Sequence, residues 1–151
     1  MYSSTFRDGV PGEFLSTITP ESVIGFAGSR HLELDSKDCL SFVTSLASKK
    51  PSFSVGCAPG VDSSFLKTLS VYYPKSSLFF RAFEDRSSLR LRVAYTSSAR
   101  LRPARALASR TRALVSACTH IVLFPGDWGP GSKLCLRLAK EKELQILVVE
   151  E

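Results

Sequence analysis

"HIVLFPGDWGPGSKLCLRLAKEKELQILVVE" (residues 120–150) decides the fold. After His120 its next four residues are wholly apolar, as expected for a strand buried on both faces of a parallel sheet. "SKLCLRLAKEK" (132–142) has helical spacing, and "LQILVVE" (144–150) is again a short apolar strand. Strand, loop, helix and strand make one βαβ unit. The first loop carries Pro125, Gly126, Gly129, Pro130 and Gly131, together with Trp128, the only tryptophan of the chain. A plain connection needs one Gly or Pro. So many small residues at one strand-to-helix corner suit a close approach of backbone to a ligand.

Working outward, the same alternation recurs. "SVIGFAG" (22–28) and "SFSVGCA" (52–58) are β-rich runs ending in glycine turns. Between them, "SKDCLSFVTSLASKK" (36–50) has helical spacing, with Asp35 or Ser36 as its N-cap. "GVDSSFLKTLSVYY" (60–73) predicts a helix with Val61, Phe65, Leu66 and Leu69 inward, stopped by Pro74. "SSLFFRAF" (76–83) reads as a third strand. Residues 86–102 are a helix or an ordered loop. "RPARALASRTRALVSAC" (102–118) predicts a helix opened by Pro103, with Ala106, Leu107, Leu114, Val115 and Cys118 as its apolar stripe. The expected fold is α/β: a Rossmann-like three-layer sandwich around a mainly parallel, about five-stranded sheet. Residues 1–20, with Gly9, Pro11, Gly12 and Pro20, read as an irregular N-terminal arm. Residues 21–151 read as a single domain.

Composition narrows the function classes. Of 151 residues, 44% are hydrophobic and 23% charged, a globular balance with material for one core. No apolar run is long enough to span a bilayer. Cys39, Cys57, Cys118 and Cys135 are widely spaced, without a CxxC pair, which argues against a zinc site and against a disulfide framework. Free thiols imply a cytoplasmic protein. No cofactor and no metal are expected. The net charge of +6 is unevenly placed: residues 81–112 hold nine arginines against Glu84 and Asp85, so this segment alone carries +7. Such a run is either a solvated helical face or a surface for an anionic partner, and arginine suits bidentate phosphate contacts.

Three loops follow strand carboxyl ends, where doubly wound sheets bind ligands: "GFAGSRH" (25–31), "GCAPGVDSS" (56–64) and "FPGDWGPGSK" (124–133). In the first, Gly25 and Gly28 admit a close ligand, and Ser29 and Arg30 offer donors. It lacks the third glycine of GxGxxG, and Val55-Gly56 stands where a dinucleotide site needs an acid. A nicotinamide-type site is therefore not expected. In the second loop, Gly56, Ala58 and Gly60 lead into a helix N-terminus, a cradle for phosphate or carboxylate. Asp62 there caps the helix, meets a ribose hydroxyl or orders the loop. In the third, the N–H groups of Gly129, Gly131 and Ser132 favour an anion. Trp128 either stacks on a base or anchors the loop. His120 reads as structural and His31 as a weak ligand contact. No nucleophile–base pair emerges from the spacing.

Together, "VIGFAGSR", "SVGCAPGVDSSFLK" and "ASRTRALVSACTHIVLFPGDWGPGSKLCLRLAKEKELQILVV" resemble the SLOG superfamily of Rossmann-like domains. That superfamily includes the DNA-processing protein DprA (Smf) and the LOG phosphoribohydrolases, and the match is closest to the small YspA-like branch. The resemblance spans residues 22–149. It implies ligand-binding roles for Gly28, Arg30, Gly56, Ala58, Gly60, Asp62, Arg110, Pro125, Gly126, Gly129 and Gly131, with Ser132 beside them, and Ser29 joins the candidate ligand-binding residues through its own donor. Pro59 stands where an arginine is usual and Thr111 where an asparagine is usual, and the last loop is longer than PGGxGT. The carboxylate that LOG enzymes carry after that loop has no counterpart in 134–138.

The function so implied is binding of a nucleotide or nucleotide-derived phosphate ligand. One alternative is a DprA-like protein that binds single-stranded nucleic acid through the 81–112 arginines. Another is a LOG-like hydrolase of nucleoside monophosphates, in which Asp62 or Asp127 would replace the missing carboxylate and Arg110 would hold the phosphate. The resemblance also implies self-association as a homodimer.

Overall fold

The computed structural model describes residues 1–150. Seven strands form one sheet: β1 (Tyr2–Thr5), β2 (Val23–Gly28), β3 (Ser52–Val55), β4 (Ser77–Arg81), β5 (Arg92–Thr96), β6 (His120–Phe124) and β7 (Gln145–Glu150). Their order is β1-β7-β6-β2-β3-β4-β5, and every neighbouring pair is parallel. The helices are α1 (Gly12–Leu15), α2 (Ser36–Ala47), α3 (Val61–Tyr72), α4 (Pro103–Ala117) and α5 (Pro130–Glu141). The Rossmann-like α/β fold expected from the alternation is present.

Side chains alternate across the sheet, as the pleat requires. Ile24, Phe26, Phe53, Val55, Val122 and Phe124 join the core built with α2 and α3. Ile121, Leu123, Ile146 and Val148 join the core built with α4 and α5. Phe26 stacks on Phe65 of α3 with ring centroids 4.2 Å apart and on Phe53 at 5.9 Å, so aromatic packing sets the height of α3 over the sheet. Asp35 caps α2 as its sequence suggests, its carboxylate accepting from the N–H groups of Lys37 and Asp38.

The sheet is two strands wider than expected, and both additions are edges. Residues 1–20 are not an irregular arm. Tyr2–Thr5 pair with Leu147–Glu150 as β1, and α1 places the fully buried Phe14 against Tyr2 and His120. Residues 92–96, within the ambiguous 86–102 stretch, pair with β4 across a register shift at Phe79/Phe80. An edge strand is held by backbone bonds on one side only, so four or five residues of mixed polarity suffice and leave no apolar run to read. His120 is a structural residue. Its ring bonds the hydroxyls of Thr17 and Thr119, and burial pushes its pKa below the usual value, with the Thr17 contact opposing.

From β2 the chain steps through β3 and β4 to β5 on one side, and β6, β7 and β1 lie on the other. The reversal falls between β2 and β6, side by side at the sheet centre. A crevice opens at their carboxyl ends because the connections leave in opposite directions.

Candidate functional site

That crevice is a cleft of about 460 Å³. Its floor is Phe26, Ala27 and Gly28 of β2, one wall is α4, and the other is the loop after β6 with the first turns of α5. Of the residues marked by the sequence, Gly28, Ser29, Arg30, Ala58, Asp62, Arg110, Asp127, Gly129, Gly131 and Ser132 line it, and His31 does as well. Gly56, Gly60, Pro125 and Gly126 do not; they lie behind the lining and shape it. Sequence reasoning missed the apolar wall of Ala104, Leu107, Ala108, Leu114 and Leu134. The signal available was helical spacing, and spacing alone does not tell a cleft from a core.

The three glycine loops interlock. Ser29 N–H donates to Phe124 O at 2.9 Å, and Val61 N–H donates to Ser29 O at 3.1 Å. Gly60 opens α3 with φ +79°, and a Cβ there would stand 2.5 Å from Ser29 O. Gly126 rests against the Ser29 side chain. The loop after β2 is thus clamped between the other two.

Asp62 and Arg110 form the polar base. Asp62 Oδ2 accepts from the Ala58 N–H at 3.1 Å and from Arg110 Nη1 at 2.8 Å. Both side chains are nearly sequestered, at 6% and 11% exposure. The guanidinium reaches Asp62 by passing over Gly56, where any Cβ would overlap Arg110 and come within 2.6 Å of Asp62 Oδ2. Burial pushes the Asp62 carboxyl above its ordinary value, against the pull of Arg110 and of the Ala58 N–H. Arg110 Nε is buried and has no hydrogen-bond partner among the described residues. Asp62 Oδ2 therefore holds the loop through Ala58 and pairs with Arg110, while Oδ1 has no hydrogen-bond partner among the described residues. Arg110, expected on a phosphate, spends one arm on that carboxylate. Asp127 is exposed at the loop tip.

The N-terminus of α5 is open. Gly129 is its N-cap and Pro130 its first residue, with no side-chain cap. Lys133 N–H bonds Gly129 O, while the amides of Gly131 and Ser132 have no acceptor among the described residues. A Cβ on Gly131 would meet nothing within 4 Å, and its φ lies outside the left-handed region, so neither packing nor backbone conformation requires glycine there. Two free N–H groups and the positive end of the helix dipole border the cleft here. Trp128 packs against the α4–α5 core and does not line the cleft, which makes it the loop's anchor.

The nine arginines of 81–112 divide in two. Arg81 donates to Thr96 Oγ1 and to Arg86 O. Arg86 donates to Cys57 O and lies over the Phe83 ring. Arg110 pairs with Asp62. The other six, at 90, 92, 100, 102, 105 and 112, are exposed and make no ion pair among the described residues. The four cysteines are free and buried, and burial pushes the Cys39, Cys118 and Cys135 thiols up to about 12. Among the described residues no helix is long and apolar enough to cross a membrane.

A doubly wound parallel sheet with a glycine-lined cleft at its switch point defines a Rossmann-like fold of the kind found in DprA. The H. pylori protein DprA (DNA processing protein A), whose structure concerns its single-stranded DNA binding mode, aligns with a TM-score of 0.67 at 14% identity, over 91% of this chain and 68% of that one. DprA from Streptococcus pneumoniae aligns with a TM-score of 0.66 at 12% identity, over 90% of this chain and 51% of that one. At such identities the likeness is one of fold. No protein-family model and no curated protein matches the sequence.

Proposed function

We propose that the cleft binds a nucleotide or nucleotide-derived phosphate ligand. The observation that carries this reading is the pairing of an open, uncapped α5 N-terminus with an apolar wall across one cleft at the switch point. The phosphate would sit on the amides of Gly131 and Ser132, within reach of the exposed Arg30. The base would lie against Leu107, Ala108 and Leu134. The unpartnered Arg110 Nε favours a ligand oxygen, because a buried donor without an acceptor costs about 1–3 kcal/mol. Calorimetry against nucleoside mono- and diphosphates and ADP-ribose tests the reading. Binding tighter than about 1 mM, near −4 kcal/mol, is expected for at least one. Weaker binding throughout the panel refutes it.

A second reading is single-stranded nucleic acid. It is favoured by the six unpaired arginines and by a fold shared with a DprA whose structure concerns single-stranded DNA binding. Assignment to the YspA-like branch rests on the sequence motifs alone.

A further inference from the structure

We propose that the Asp62–Arg110 pair reads the sugar of the bound nucleotide, so that the cleft selects ribonucleotides over 2′-deoxyribonucleotides and takes them with little regard to the base. The proposal deepens the nucleotide reading of the cleft and rests on it.

The pair is only half used within the protein. Asp62 and Arg110 meet through one oxygen and one nitrogen, Oδ2 and Nη1 at 2.8 Å, although a carboxylate and a guanidinium can share two parallel bonds. Oδ2 also takes the Ala58 N–H, and Oδ1 has no partner among the described residues. Asp62 lines the cleft, and its Oδ1 is not sealed from it. Arg110 lines the cleft as well. Its Nη2 carries two hydrogens and makes one contact, to Thr111 Oγ1 at 3.5 Å, so at least one hydrogen is free. An acceptor and a donor thus stand side by side at the bottom of the cleft. A phosphate oxygen only accepts, and the carboxylate repels it. A base amine only donates. A hydroxyl does both, donating to Oδ1 while accepting from Nη2.

The place of the pair suits a sugar. In a nucleotide the sugar lies between base and phosphate, and here the pair lies between the α4 wall and the α5 amides. Arg110 belongs to α4 itself, three residues after Leu107 and four before Leu114, both of which line the cleft on that wall. The hydroxyl nearest such a wall is the one beside the base, the 2′-hydroxyl, which is the group that distinguishes ribose from deoxyribose. The wall itself offers nothing to read a base edge. Leu107, Ala108 and Leu114 are apolar, and the Thr111 hydroxyl is spent on Leu107 O at 3.0 Å. Such a surface meets a base by its face, which all bases share. Burial gives the contact its weight, because hydrogen bonds to charged groups strengthen away from water. DNA carries no 2′-hydroxyl, so the pair works against the second reading of the protein.

Calorimetry with AMP, 2′-deoxy-AMP, 2′-fluoro-2′-deoxy-AMP and IMP tests this on the wild type and on Asp62→Asn, with thermal unfolding as the check that the variant is folded. Wild type is expected to bind AMP at least about tenfold tighter than either 2′ analogue, the effect of one hydrogen bond to a charged group. AMP and IMP, which differ at the base edge, should bind within about threefold of each other. Asp62→Asn keeps an oxygen for Ala58 and Arg110 and places an amide where Oδ1 stood. Its preference for AMP over 2′-deoxy-AMP should fall below about threefold. Should the variant show no cooperative unfolding, the 2′-fluoro ligand decides on wild type alone: it has no proton to donate, and binding as tight as that of AMP overturns the proposal. Equal wild-type affinity for AMP and 2′-deoxy-AMP overturns the sugar reading and leaves the nucleotide reading intact. A preference that persists in folded Asp62→Asn overturns the role of the pair. An AMP-over-IMP preference that Asp62→Asn removes assigns Oδ1 to a base amine and overturns the proposal. Binding of none of the four ligands refutes the nucleotide reading, and the proposal falls with it.

Discussion

Two helices begin beside the cleft, α3 after β3 and α5 after β6, and they treat their N-termini in opposite ways. At α3 the protein supplies the negative group itself, although the Asp62 and Ser63 amides also have no acceptor among the described residues. The N-cap Gly60 is buried, Val61 N–H is taken by Ser29 O, and Asp62 brings a carboxylate to the first turn, neutralised by Arg110. α5 carries no acid in its first turn and no capping side chain, and Gly131 faces open space. The positive ends of both helices favour a negative group. α3 has its own, and α5 is left to find one. Two loops that look alike in sequence, both glycine-rich and both before a helix, thus divide into a corner that carries its own acid and a corner to which the proposed reading assigns the ligand.

The largest test of this difference breaks the corner that carries its own acid. Arg110→Ala leaves Asp62 buried without its cation and should cost about 3–5 kcal/mol in urea unfolding. Gly56→Ala should act in the same direction, because the added methyl overlaps the guanidinium. A loss below about 1 kcal/mol in both variants would mean that the pair does not hold α3. Next comes Gly60→Ala, which forces a side chain into φ +79° against Ser29 O. About 1–3 kcal/mol of stability should go, read by thermal and urea midpoints together.

The open corner should behave in the reverse manner. Gly131→Val is expected to leave stability within about 0.5 kcal/mol, as an exposed position far from any clash. It should weaken AMP by at least tenfold, about 1.4 kcal/mol, by filling the space above the amides. A folded Gly131→Val protein that binds AMP as tightly as wild type moves the ligand away from α5. The smallest effect belongs to Ser132→Ala, which removes one buried hydroxyl beside the same amides. Its cost to AMP binding, measured by calorimetry, should be about 0.5–1.5 kcal/mol.

Much of the site was legible before any coordinates. The three loops were marked by glycines after apolar runs, and ten of the marked residues line one cleft together with His31. The roles within it were less legible. Asp62 and Arg110 lie 48 residues apart, and nothing local says that one lies over Gly56 to meet the other. Trp128 was balanced between a base stack and an anchor until its packing against the α4–α5 core decided it.

The sequence by itself determined the layer order of the fold, because hydrophobic periods of two and of 3.6 alternate along the chain and each follows from local backbone geometry. It also determined where the backbone turns tightly and where the arginines fall in the chain. Tertiary structure decided the two edge strands, since backbone pairing at an edge leaves little trace in side-chain pattern. It decided which glycines open the cleft and which only shape it. It decided which three arginines are spent inside the protein and which six stay on the surface. Those outcomes depend on contacts between residues far apart in the chain, which form only when the sheet brings its central strands side by side.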